Sequence, residues 1–296
     1  MNAVRPVPVA KPDEFSIATQ NLGRLFDDEA GGRGEVAATA DYRRKLEQLA
    51  SQVLQALNSP HVLAVQEAEN IRVLQGLAAL VKQRNGPAYR AVLIEGNDYG
   101  GIDVGFLLRD DIELLDVQAL MAKKRLDRAP LFDRPPLLLQ IKVQGRALDI
   151  VNVHLKSLRG TEDAEVAKKT NRKRLRQADA LGQWLATRTT ATPLVLLGDF
   201  NATPEAPDGV DVLAQVRAAG LVDVDERLPA AERYSYVHDC RGQALDHVWV
   251  SPALLPAVRG VAASRGNAGA RLPREGATAA QRSSDHDGLV LYLRLR

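Results

Sequence analysis

The sequence predicts an α+β fold in which strand-rich sheets pack together and helices lie outside them. Short apolar runs of strand length outnumber the stretches with helical periodicity. Many of these runs follow one another through connections that are too short to contain a crossover helix. Together the two observations favour layered sheets over a regular alternation of helices and strands.

Nine short apolar runs are predicted strands. Several are bounded by Gly, Pro or Asp, the residues that commonly end strands. In chain order they are Phe15–Thr19, His61–Val65, Tyr89–Ile94, Val104–Leu108, Leu137–Val143, Leu148–Val153, Leu194–Leu197, Leu245–Val250 and Leu289–Leu293.

Three stretches instead repeat their apolar residues with the period of a helix. In the first, apolar side chains recur every three or four residues from Tyr42 to Leu57, behind Asp41 as the N-cap. The same rule predicts a second helix over Ile71–Val81. A third helix is predicted from about Thr161 to Ala186.

The length of 296 residues allows two domains at roughly 150 residues each. No linker-like shift in composition divides the chain, so we predict a single domain over residues 14–296. In residues 1–13 Pro and Val alternate, which predicts an extended leader without the apolar core of a signal peptide. No run approaches the ~20 apolar residues of a membrane span.

Charge and cysteine content exclude several classes of protein. The 39 Lys and Arg against 37 Asp and Glu leave a net charge of +2, which excludes a uniformly basic surface but allows a local basic patch. The single cysteine, Cys240, excludes an internal disulfide and a cysteine-rich zinc site. The sequence also lacks the G-x-S-x-G, Walker and H-E-x-x-H motifs.

Polar side chains recur at the ends of the predicted strands. They are Asn21, Glu67, Asn152, His154, Asp199, Asn201, Asp246, Asp285, His286 and Asp287. Each alone has an ordinary explanation, because Asn and Asp at strand ends usually form turns and a lone histidine is usually structural. Strand ends on one edge of a sheet converge, however, and like charges gathered there without a ligand repel one another. The set therefore predicts a site for a hard metal ion or a phosphate.

These residues stand in an ordered set of motifs: T-Q-N, Q-E, N-V-H-L-K-S, G-D-F-N, L-D-H-V-W-V-S and S-D-H-D-G. The set spans Phe15 to Leu293 and resembles the endonuclease/exonuclease/phosphatase superfamily, which has the deoxyribonuclease-I-like fold. The resemblance implies a two-layered β-sandwich flanked by helices, in four layers of helix, sheet, sheet and helix. One departure is Gly288, where the superfamily usually has a proline; it affects a turn and no ligand.

Further segments narrow the resemblance. G-I-D-V-G-F-L-L-R over Gly101–Arg109, F-D-R-P-P-L over Phe132–Leu137 and the motif Y-S-Y-V-H-D look most like bacterial, often exported, nuclease-like members. The resemblance therefore suggests a bacterial extracellular or periplasmic location, which the residues themselves do not establish.

The resemblance also implies a divalent metal site. Glu67 is the implied primary ligand, with Asn21 beside it and Asp285 completing the shell or binding a second ion. Carboxylate and amide oxygens suit Mg²⁺, so Mg²⁺ or Mn²⁺ is the expected cofactor and Ca²⁺ is the alternative. With five histidines and no cysteine cluster, the chain does not favour a closed zinc site there.

The same resemblance assigns catalytic roles to five residues. Asp199 would orient or deprotonate the attacking water, and Asn201 would hold a phosphate oxygen. His286 would touch the phosphate or relay a proton, with its tautomer fixed by Asp246. His154 would hydrogen-bond the phosphate or protonate the leaving group, so either histidine could be the general acid.

Four residues are candidates for contact with the substrate. Asn152 and Lys156 lie in N-V-H-L-K-S, beside the expected site. Arg109 and Arg134 stand in the family-like segments, and a guanidinium matches the geometry of phosphate. A packing salt bridge is the alternative for both arginines. His247 is expected to be structural, because the period of two points it away from its neighbour in the site.

Two basic stretches are candidates for contact with a polyanion. Lys168–Arg176 holds six basic residues in nine, which is usually a solvated helix face and otherwise a track for a phosphate backbone. The loop before S-D-H-D is tethered to the expected metal site, which makes its arginines the better candidates. They are Arg265, Arg271, Arg274 and Arg282.

The sequence therefore predicts a divalent-metal-dependent phosphodiester hydrolase, foremost a nuclease of low sequence specificity that acts on DNA or RNA. Nucleic acid is the expected partner, and a monomer is the expected state. Two alternatives stay open at this point. The same site could act on small phosphoesters or lipid head groups, because a fold does not fix a substrate, or the chain could be a binding module without catalysis.

Overall fold

Two six-stranded sheets stack face to face in the computed structural model, which describes residues 4–188, 192–206, 209–269 and 282–295. One apolar layer lies between the sheets, and a further apolar layer lies on the outer face of each sheet, under helices. The result is the four-layered arrangement of helix, sheet, sheet and helix, which confirms the predicted fold class.

Strands outnumber helices in the described chain, as the sequence predicts. The strands are β1 (Phe15–Leu25), β2 (Val62–Ala68), β3 (Tyr89–Leu93), β4 (Asp103–Arg109), β5 (Glu113–Ala119), β6 (Arg125–Leu126), β7 (Ala129–Pro130), β8 (Leu137–Val143), β9 (Arg146–His154), β10 (Leu194–Asp199), β11 (Val222–Asp223), β12 (Tyr236–His238), β13 (Arg241–Gln243), β14 (Asp246–Val250), β15 (Val258–Ala263) and β16 (Leu289–Leu293). The α-helices are α1 (Thr39–Ser51), α2 (Ile71–Gln83), α3 (Ala164–Thr187) and α4 (Ala214–Ala218). Short 3₁₀ turns cover Asp225–Arg227, Ala230–Glu232 and Pro252–Ala257.

The strand order explains why polar side chains meet at one place. The first sheet has the order β15-β16-β1-β2-β4-β3, and the second has the order β11-β14-β10-β9-β8-β5. Each sheet has one parallel pair, β1 with β2 and β9 with β10, among antiparallel neighbours. A hydrogen bond between Asn21 of β1 and Asp199 of β10 shows that both parallel pairs end at the same edge of the sandwich. We call this edge, where β1, β2, β9 and β10 end, the polar edge.

Alternation of side chains along the central strands separates the apolar layers. In β1, Ile17 faces the space between the sheets, whereas Ala18 faces the layer under α1 and α2. In β10, Val195 faces the inner layer, whereas Leu196 packs in the layer under α3. Because both faces of the central strands are buried, these strands appear in the sequence as continuous apolar runs.

Among the strands of five or more residues two were not predicted, and the first helix differs at both ends, since it begins at Thr39 and Asp41 lies in its first turn rather than at the N-cap. Strand β5 was not predicted because most of its residues are at least partly exposed and several are polar, as expected of the edge strand it is. Strand β15 was not predicted because Arg259 and Gly260 interrupt its apolar pattern. The helix predicted to run to Leu57 is α-helical only to Ser51 and continues as a π-helical turn over Gln52–Ala56.

The first described residues form an isolated bridge between Arg5 and Arg265 and pack against the sandwich. Val7 is 3% exposed, its N–H donates to the Ala56 carbonyl, and its carbonyl accepts from Asn58 Nδ2. Tyr292 Oη donates to the Pro8 carbonyl. Within the described ranges, no helix is both long and apolar enough to cross a membrane.

Candidate active site

A cleft of about 820 Å³ opens at the polar edge, with walls from both sheets. Its lining includes the predicted site residues Glu67, Arg134, His154, Asp199, Asn201, Asp285 and His286. Its lining also includes residues that the sequence did not single out, among them Arg24, Lys45, Ile102, Arg159 and Tyr236. Most of the predicted site residues therefore come together in one cleft.

Asn21 lies between two carboxylates. Its Nδ2 donates to Glu67 Oε1 at 3.2 Å and to Asp199 Oδ2 at 3.1 Å, and its Oδ1 accepts from the Gly23 N–H at 2.9 Å. Asn21 itself is 1% exposed. This buried amide fixes the spacing of one carboxylate from each sheet and so joins the sheets at the polar edge.

Glu67 reaches the cleft through an irregular strand end. The register of β2 with β4 shifts between Gln66 and Ala68, and Glu67 has a φ of 62°, in the left-handed region. A non-glycine residue in that region costs of order 1–3 kcal/mol and persists only where its surroundings impose it. The bulge directs Glu67 into the cleft, whereas Gln66 stays fully buried between the sheets.

Strand pairing places Asp199 between two other site residues. Its register partners are His154 on β9 and Asp246 on β14. Burial and the neighbouring Asp246 raise the pKa of Asp199 to about 7, against the opposing effect of His286. The Asn201 N–H donates to Asp199 Oδ1 at 2.8 Å and fixes the carboxyl group. Asp199 can therefore exchange a proton near neutral pH.

His286 is ion-paired with Asp246, whose Oδ2 lies 2.6 Å from His286 Nδ1. Burial lowers the pKa of His286, but Asp246, Asp199 and Asp285 outweigh burial and raise the pKa to about 10. The ring of Tyr236 packs against the imidazole with 5.0 Å between the ring centroids. His286 is therefore an imidazolium at neutral pH, with Nδ1–H on Asp246 and Nε2–H left to donate to a ligand.

The second histidine of the cleft, His154, is in the opposite protonation state. Burial lowers the pKa of His154 well below its usual value, and the charges of Arg134, His286 and Lys156 lower it further. Its Nε2 lies 3.5 Å from Asp199 Oδ2, so this contact joins a neutral imidazole to a carboxyl group rather than two ions. Within the described residues, His154 Nδ1 is buried and has no hydrogen-bond partner.

Asn201 sits in a strained turn directly after β10. Its φ is 48°, its Nδ2 donates to the Leu155 carbonyl at 3.1 Å, and its own carbonyl accepts from Arg174 Nη2 at 2.8 Å. Arg174 is 2% exposed, although it belongs to the basic stretch Lys168–Arg176. One basic residue of α3 thus points inward and holds the turn that carries Asn201.

Lys45 of α1 is a partly buried cation beside the predicted metal ligands. Its Nζ donates to the carbonyls of Gly23 at 2.9 Å and Ser283 at 2.6 Å. Burial lowers the pKa of Lys45 to about 8, against the opposing effects of Asp285 and Glu67. Lys45 therefore ties the end of β1 to the S-D-H-D loop and lies within the field of both carboxylates.

Helical periodicity could have identified Lys45 and Arg174 as cations that face the interior. Lys45 lies three residues after Tyr42 and four before Leu49, which places it on the apolar stripe of the first helix. Arg174 lies seven residues before Leu181, on the buried stripe of α3. A charged residue on the buried face of an amphipathic helix is the signal in both cases.

Arg134 lines the cleft but uses most of its donors within the protein. Its Nη1 donates to Asp98 Oδ2 at 2.8 Å, and its Nε and Nη2 donate to the carbonyls of His154 and Leu155 at 3.3 Å each. The guanidinium thereby fixes the end of β9. Both interpretations of Arg134 therefore apply, since it makes a packing salt bridge and also faces the cleft.

Three of the four predicted substrate contacts, Asn152, Arg109 and Lys156, do not line the cleft. Asn152 is fully buried between the sheets, where it accepts from Gln66 Nε2 and donates to the carbonyls of Val65 and Gly105. Its polar groups hold the two sheets together. Arg109 is at the opposite end of β4 from the polar edge and donates to the Ser59 carbonyl.

The described basic residues near the S-D-H-D loop divide into two kinds. Arg265 is 7% exposed and is held by Glu232 and Asp287, so it is part of the framework. Arg282 lines the cleft. Arg271 and Arg274 lie outside the described residues. Lys156 is partly buried, and its charge is close enough to lower the pKa of the histidine two residues before it.

Comparisons with known proteins give one family match and several similar folds. The model of the Endonuclease/Exonuclease/phosphatase family matches residues 18–286. A search of curated proteins found no match. Similar solved structures include D. rerio TDP2 complexed with single strand DNA product, with a TM-score of 0.63 and 19% identity over 95% of this chain and 99% of that chain.

Two further structures have similar scores. The human Nocturnin catalytic domain with bound sulfate anion has a TM-score of 0.64 and 18% identity over 96% of each chain. An AP endonuclease from Archaeoglobus fulgidus has a TM-score of 0.64 and 18% identity over 95% of this chain and 100% of that chain. At these identities the likeness to solved structures establishes a shared fold.

Proposed function

Because the chain belongs to the endonuclease/exonuclease/phosphatase family, we propose that it is a divalent-metal-dependent phosphodiesterase that cleaves DNA, and also RNA, with little sequence specificity. The observation that carries the proposal is the position of His286, which lies within hydrogen-bond distance of Asp246 and is clustered with the buried carboxyl groups of Asp199 and Asp246 in one cleft. We call these three residues the cleft cluster. It offers a positive donor for a phosphate and a group that exchanges protons near pH 7.

In this proposal Asn21, Glu67 and Asp285 hold the divalent metal ion. The two carboxylates fit such an ion because both line the cleft and both raise the pKa of the same cation, Lys45. Carboxylate and amide oxygens are the donors that Mg²⁺ and Mn²⁺ prefer. An ion bound there would stabilise negative charge on the phosphate and on the leaving oxygen.

The side chains of the cleft divide the proton chemistry between them. Asp199, held by hydrogen bonds from Asn21 and Asn201, orients a water molecule and accepts its proton. His286 donates its Nε2–H to a phosphate oxygen, while Asp246 keeps the ring charged and oriented. His154 is neutral and offers a single donor for a second phosphate oxygen or the leaving group.

The border of the cleft favours a long anionic substrate. Arg24, Arg159 and Arg282 all line it, on three separate segments of the chain. Cations spread along a groove can contact successive phosphates of one strand, and such contacts carry no sequence information. Among the similar structures, D. rerio TDP2 is complexed with a single-strand DNA product, which is consistent with a nucleic-acid substrate.

The decisive experiment is nicking of supercoiled plasmid DNA with and without EDTA. The full chain should nick plasmid in Mg²⁺ or Mn²⁺, and EDTA should stop the reaction. Glu67→Gln should abolish the activity, because it removes the negative charge of the principal metal ligand while keeping the shape of the side chain. The matched control is Glu113→Gln, on the exposed edge strand β5, which should nick at the wild-type rate.

Two results would contradict the proposal. EDTA-resistant nicking, or full activity in a folded Glu67→Gln variant, would show that the assigned residues do not hold a required metal ion. A panel of plasmid DNA, RNA, bis-nitrophenyl phosphate, sphingomyelin and inositol phosphates tests the substrate class. Strong turnover of a small ester or of sphingomyelin with intact plasmid would replace the nuclease by a small-phosphoester or lipid hydrolase.

A further inference from the structure

A second cluster of acidic residues and histidine lies on the other side of β14 from the cleft. Asp246 and His247 are consecutive residues of this strand, so their side chains point to opposite faces of the sheet. His247 faces Asp223 of β11 and Asp225 of the adjoining 3₁₀ turn. We call Asp223, Asp225 and His247 the outer cluster. It borders a separate cavity of about 680 Å³.

The tautomer of His247 is fixed by the backbone. Its Nε2 lies 2.8 Å from the carbonyl of Ala202, which can only accept, so Nε2 carries the proton. In the neutral ring Nδ1 then presents a lone pair. A backbone carbonyl on one ring nitrogen, leaving the other nitrogen unprotonated, is the usual arrangement of a metal-binding histidine.

The other ring nitrogen, Nδ1, faces the carboxyl groups of Asp223 and Asp225. His247 Nδ1 lies 3.8 Å from Asp223 Oδ2 and 3.7 Å from Asp225 Oδ2, beyond hydrogen-bond range. Among the described residues Nδ1 makes no hydrogen bond, although His247 is 1% exposed. A cation placed between Nδ1 and the two carboxyl groups would be a partner for all three groups.

Other polar atoms of the same region are also left without partners. Asp225 is 8% exposed, and its Oδ1 has no hydrogen-bond partner in the described part of the chain. Its Oδ2 accepts only from the Val248 N–H at 2.9 Å. The Nε1–H of Trp249, which lines the same cavity, is buried and unpartnered within the described ranges as well. Asp225 Oδ1 is therefore a buried acceptor that a cation could use, whereas the Trp249 N–H can only donate and would serve an acceptor in the same cavity.

We propose that Asp223, Asp225 and His247 bind a divalent transition-metal ion, of which Zn²⁺ is the best match, at a site separate from the active site. One imidazole nitrogen and two carboxylate oxygens are a donor set that Zn²⁺ accepts, with bonds of about 2.0–2.2 Å. Tetrahedral ligands at that distance stand about 3.3–3.6 Å apart. The ligand atoms here, all within 4.8 Å of one another, need to close by only a few tenths of an ångström around His247.

Such an ion would stabilise the turn that carries Ala202 and Asn201 from the side of the sheet opposite the cleft. His247 holds the Ala202 carbonyl, and Ala202 directly follows Asn201 in the turn that fixes Asp199. Asp223 and Asp225 flank Val224, which is buried in the apolar layer between the sheets. Their polar links to β14 are the two-residue pairing of β11 and the hydrogen bonds of Val224 and Asp225 to the backbone of Val248. The metal would join Asp223 and Asp225 to β14.

The test separates this site from the catalytic one by disabling the latter. The full chain carrying Glu67→Gln, Asp285→Asn and His286→Gln, which also removes the histidine of the cleft cluster, is stripped with chelator, titrated with Zn²⁺ by calorimetry and then assayed for bound metal after dialysis. We expect one Zn²⁺ per chain and a higher melting temperature with Zn²⁺ than without it. Adding Asp225→Asn, or separately His247→Gln, should remove both effects, and Asp223→Asn provides a third variant if one of these does not fold.

The chain offers a matched control in the exposed pair His238 and Asp239, whose Nε2 and Oδ2 are 3.5 Å apart. His238→Gln with Asp239→Asn in the same background should leave the bound Zn²⁺ unchanged. Absence of Zn²⁺ in the disabled background, or Zn²⁺ retained after Asp225→Asn and His247→Gln, would overturn the proposal. A melting temperature that responds to pH but not to Zn²⁺ would also overturn it, in favour of an imidazolium held between two carboxylates. Because the readout is metal bound to an inactive variant, failure of the proposed nuclease activity does not affect the result.

Discussion

The cleft cluster and the outer cluster contain the same residue types on opposite faces of one strand, yet they differ in how the histidine meets its carboxylates. His286 Nδ1 lies 2.6 Å from Asp246, whereas His247 Nδ1 lies 3.7 Å from Asp225, its nearer carboxylate partner. The first distance permits a charged hydrogen bond, and the second leaves room for an ion. A difference of about one ångström therefore separates a proton-carrying pair from a metal-binding pair.

The second ring nitrogen differs as well. His286 Nε2 makes no hydrogen bond to the described residues and is available to a ligand. His247 Nε2 is instead hydrogen-bonded to the Ala202 carbonyl. His286 can thus act on a substrate through the nitrogen opposite Asp246. His247 can act only on what lies between Asp223 and Asp225. Whether Nε2 is free or hydrogen-bonded, rather than residue type, therefore decides what each histidine can bind.

Within the two clusters, the largest expected effect comes from replacing His286. His286→Gln keeps a polar side chain but removes the positive charge and the transferable proton. We expect kcat/KM for DNA cleavage to fall by about 10²–10⁴-fold, the usual contribution of a positioned acid or base. Steady-state rates on a short fluorescent DNA duplex at saturating Mg²⁺ would measure it. A loss smaller than fivefold in a folded variant would remove His286 from the mechanism.

The second prediction concerns the pH profile of the cleft cluster. Because burial and Asp246 raise the pKa of Asp199 to about 7, its base form is lost as the pH falls, and kcat/KM should drop about tenfold per pH unit below 7. His286, with a pKa of about 10, should stay protonated up to pH 9. Asp246→Asn removes the charge that raises both pKa values, so both limbs of the profile should move to lower pH. A profile that Asp246→Asn leaves in place would show that Asp246 does not control either group.

The third prediction concerns stability. The pKa of His286 is raised in the folded chain to about 10, above its usual value of about 6.5 in an unfolded chain. The ion pair with Asp246 therefore contributes its full stability below about pH 6.5, and the contribution is lost as the pH rises through 10. Asp246→Asn should cost about 1.5–3 kcal/mol of unfolding free energy at pH 6. Urea denaturation at pH 6, 8 and 10 should show this difference shrinking, and a constant difference would contradict the ion pair.

Much of the cleft could be predicted from the sequence because strand ends and their motifs are local features. The period of two correctly put Asn152 and His154 on one face of β9, but it could not tell how deep each lies. They are two residues apart, or about 7 Å along the strand, and only the terminal residue reaches the cleft. Depth depends on where the opposite sheet stops, which one strand's sequence does not contain.

The parts of the site that could not be predicted depend on contacts distant in sequence or on local distortion. The motif predicted Glu67 as a site residue, but no residue type nearby predicts the bulge through which Glu67 enters the cleft. The outer cluster forms because the two-residue strand β11 pairs with β14, and so short a strand has no periodicity. His247 could therefore be predicted only as a residue facing away from the cleft. Its two partners come from a segment that the sequence left unassigned.

The smallest expected effect on activity comes from replacing the outer-cluster histidine, His247, by glutamine, the same change as His286→Gln in the cleft cluster. His247→Gln removes the hydrogen bond to the Ala202 carbonyl and one ligand of the proposed Zn²⁺ site, but it leaves every group of the cleft in place. We expect kcat/KM to fall by less than about tenfold, equivalent to about 1.4 kcal/mol, while the melting temperature falls and no longer responds to Zn²⁺. His286→Gln and His247→Gln are the same chemical change on opposite sides of β14. The ratio of the two variants' kcat/KM values therefore measures the effect of the histidine's position, because the residue type is the same. Equal losses of activity would mean that the outer cluster controls the geometry of Asp199 and Asn201, and the two clusters would then have to be treated as one catalytic unit.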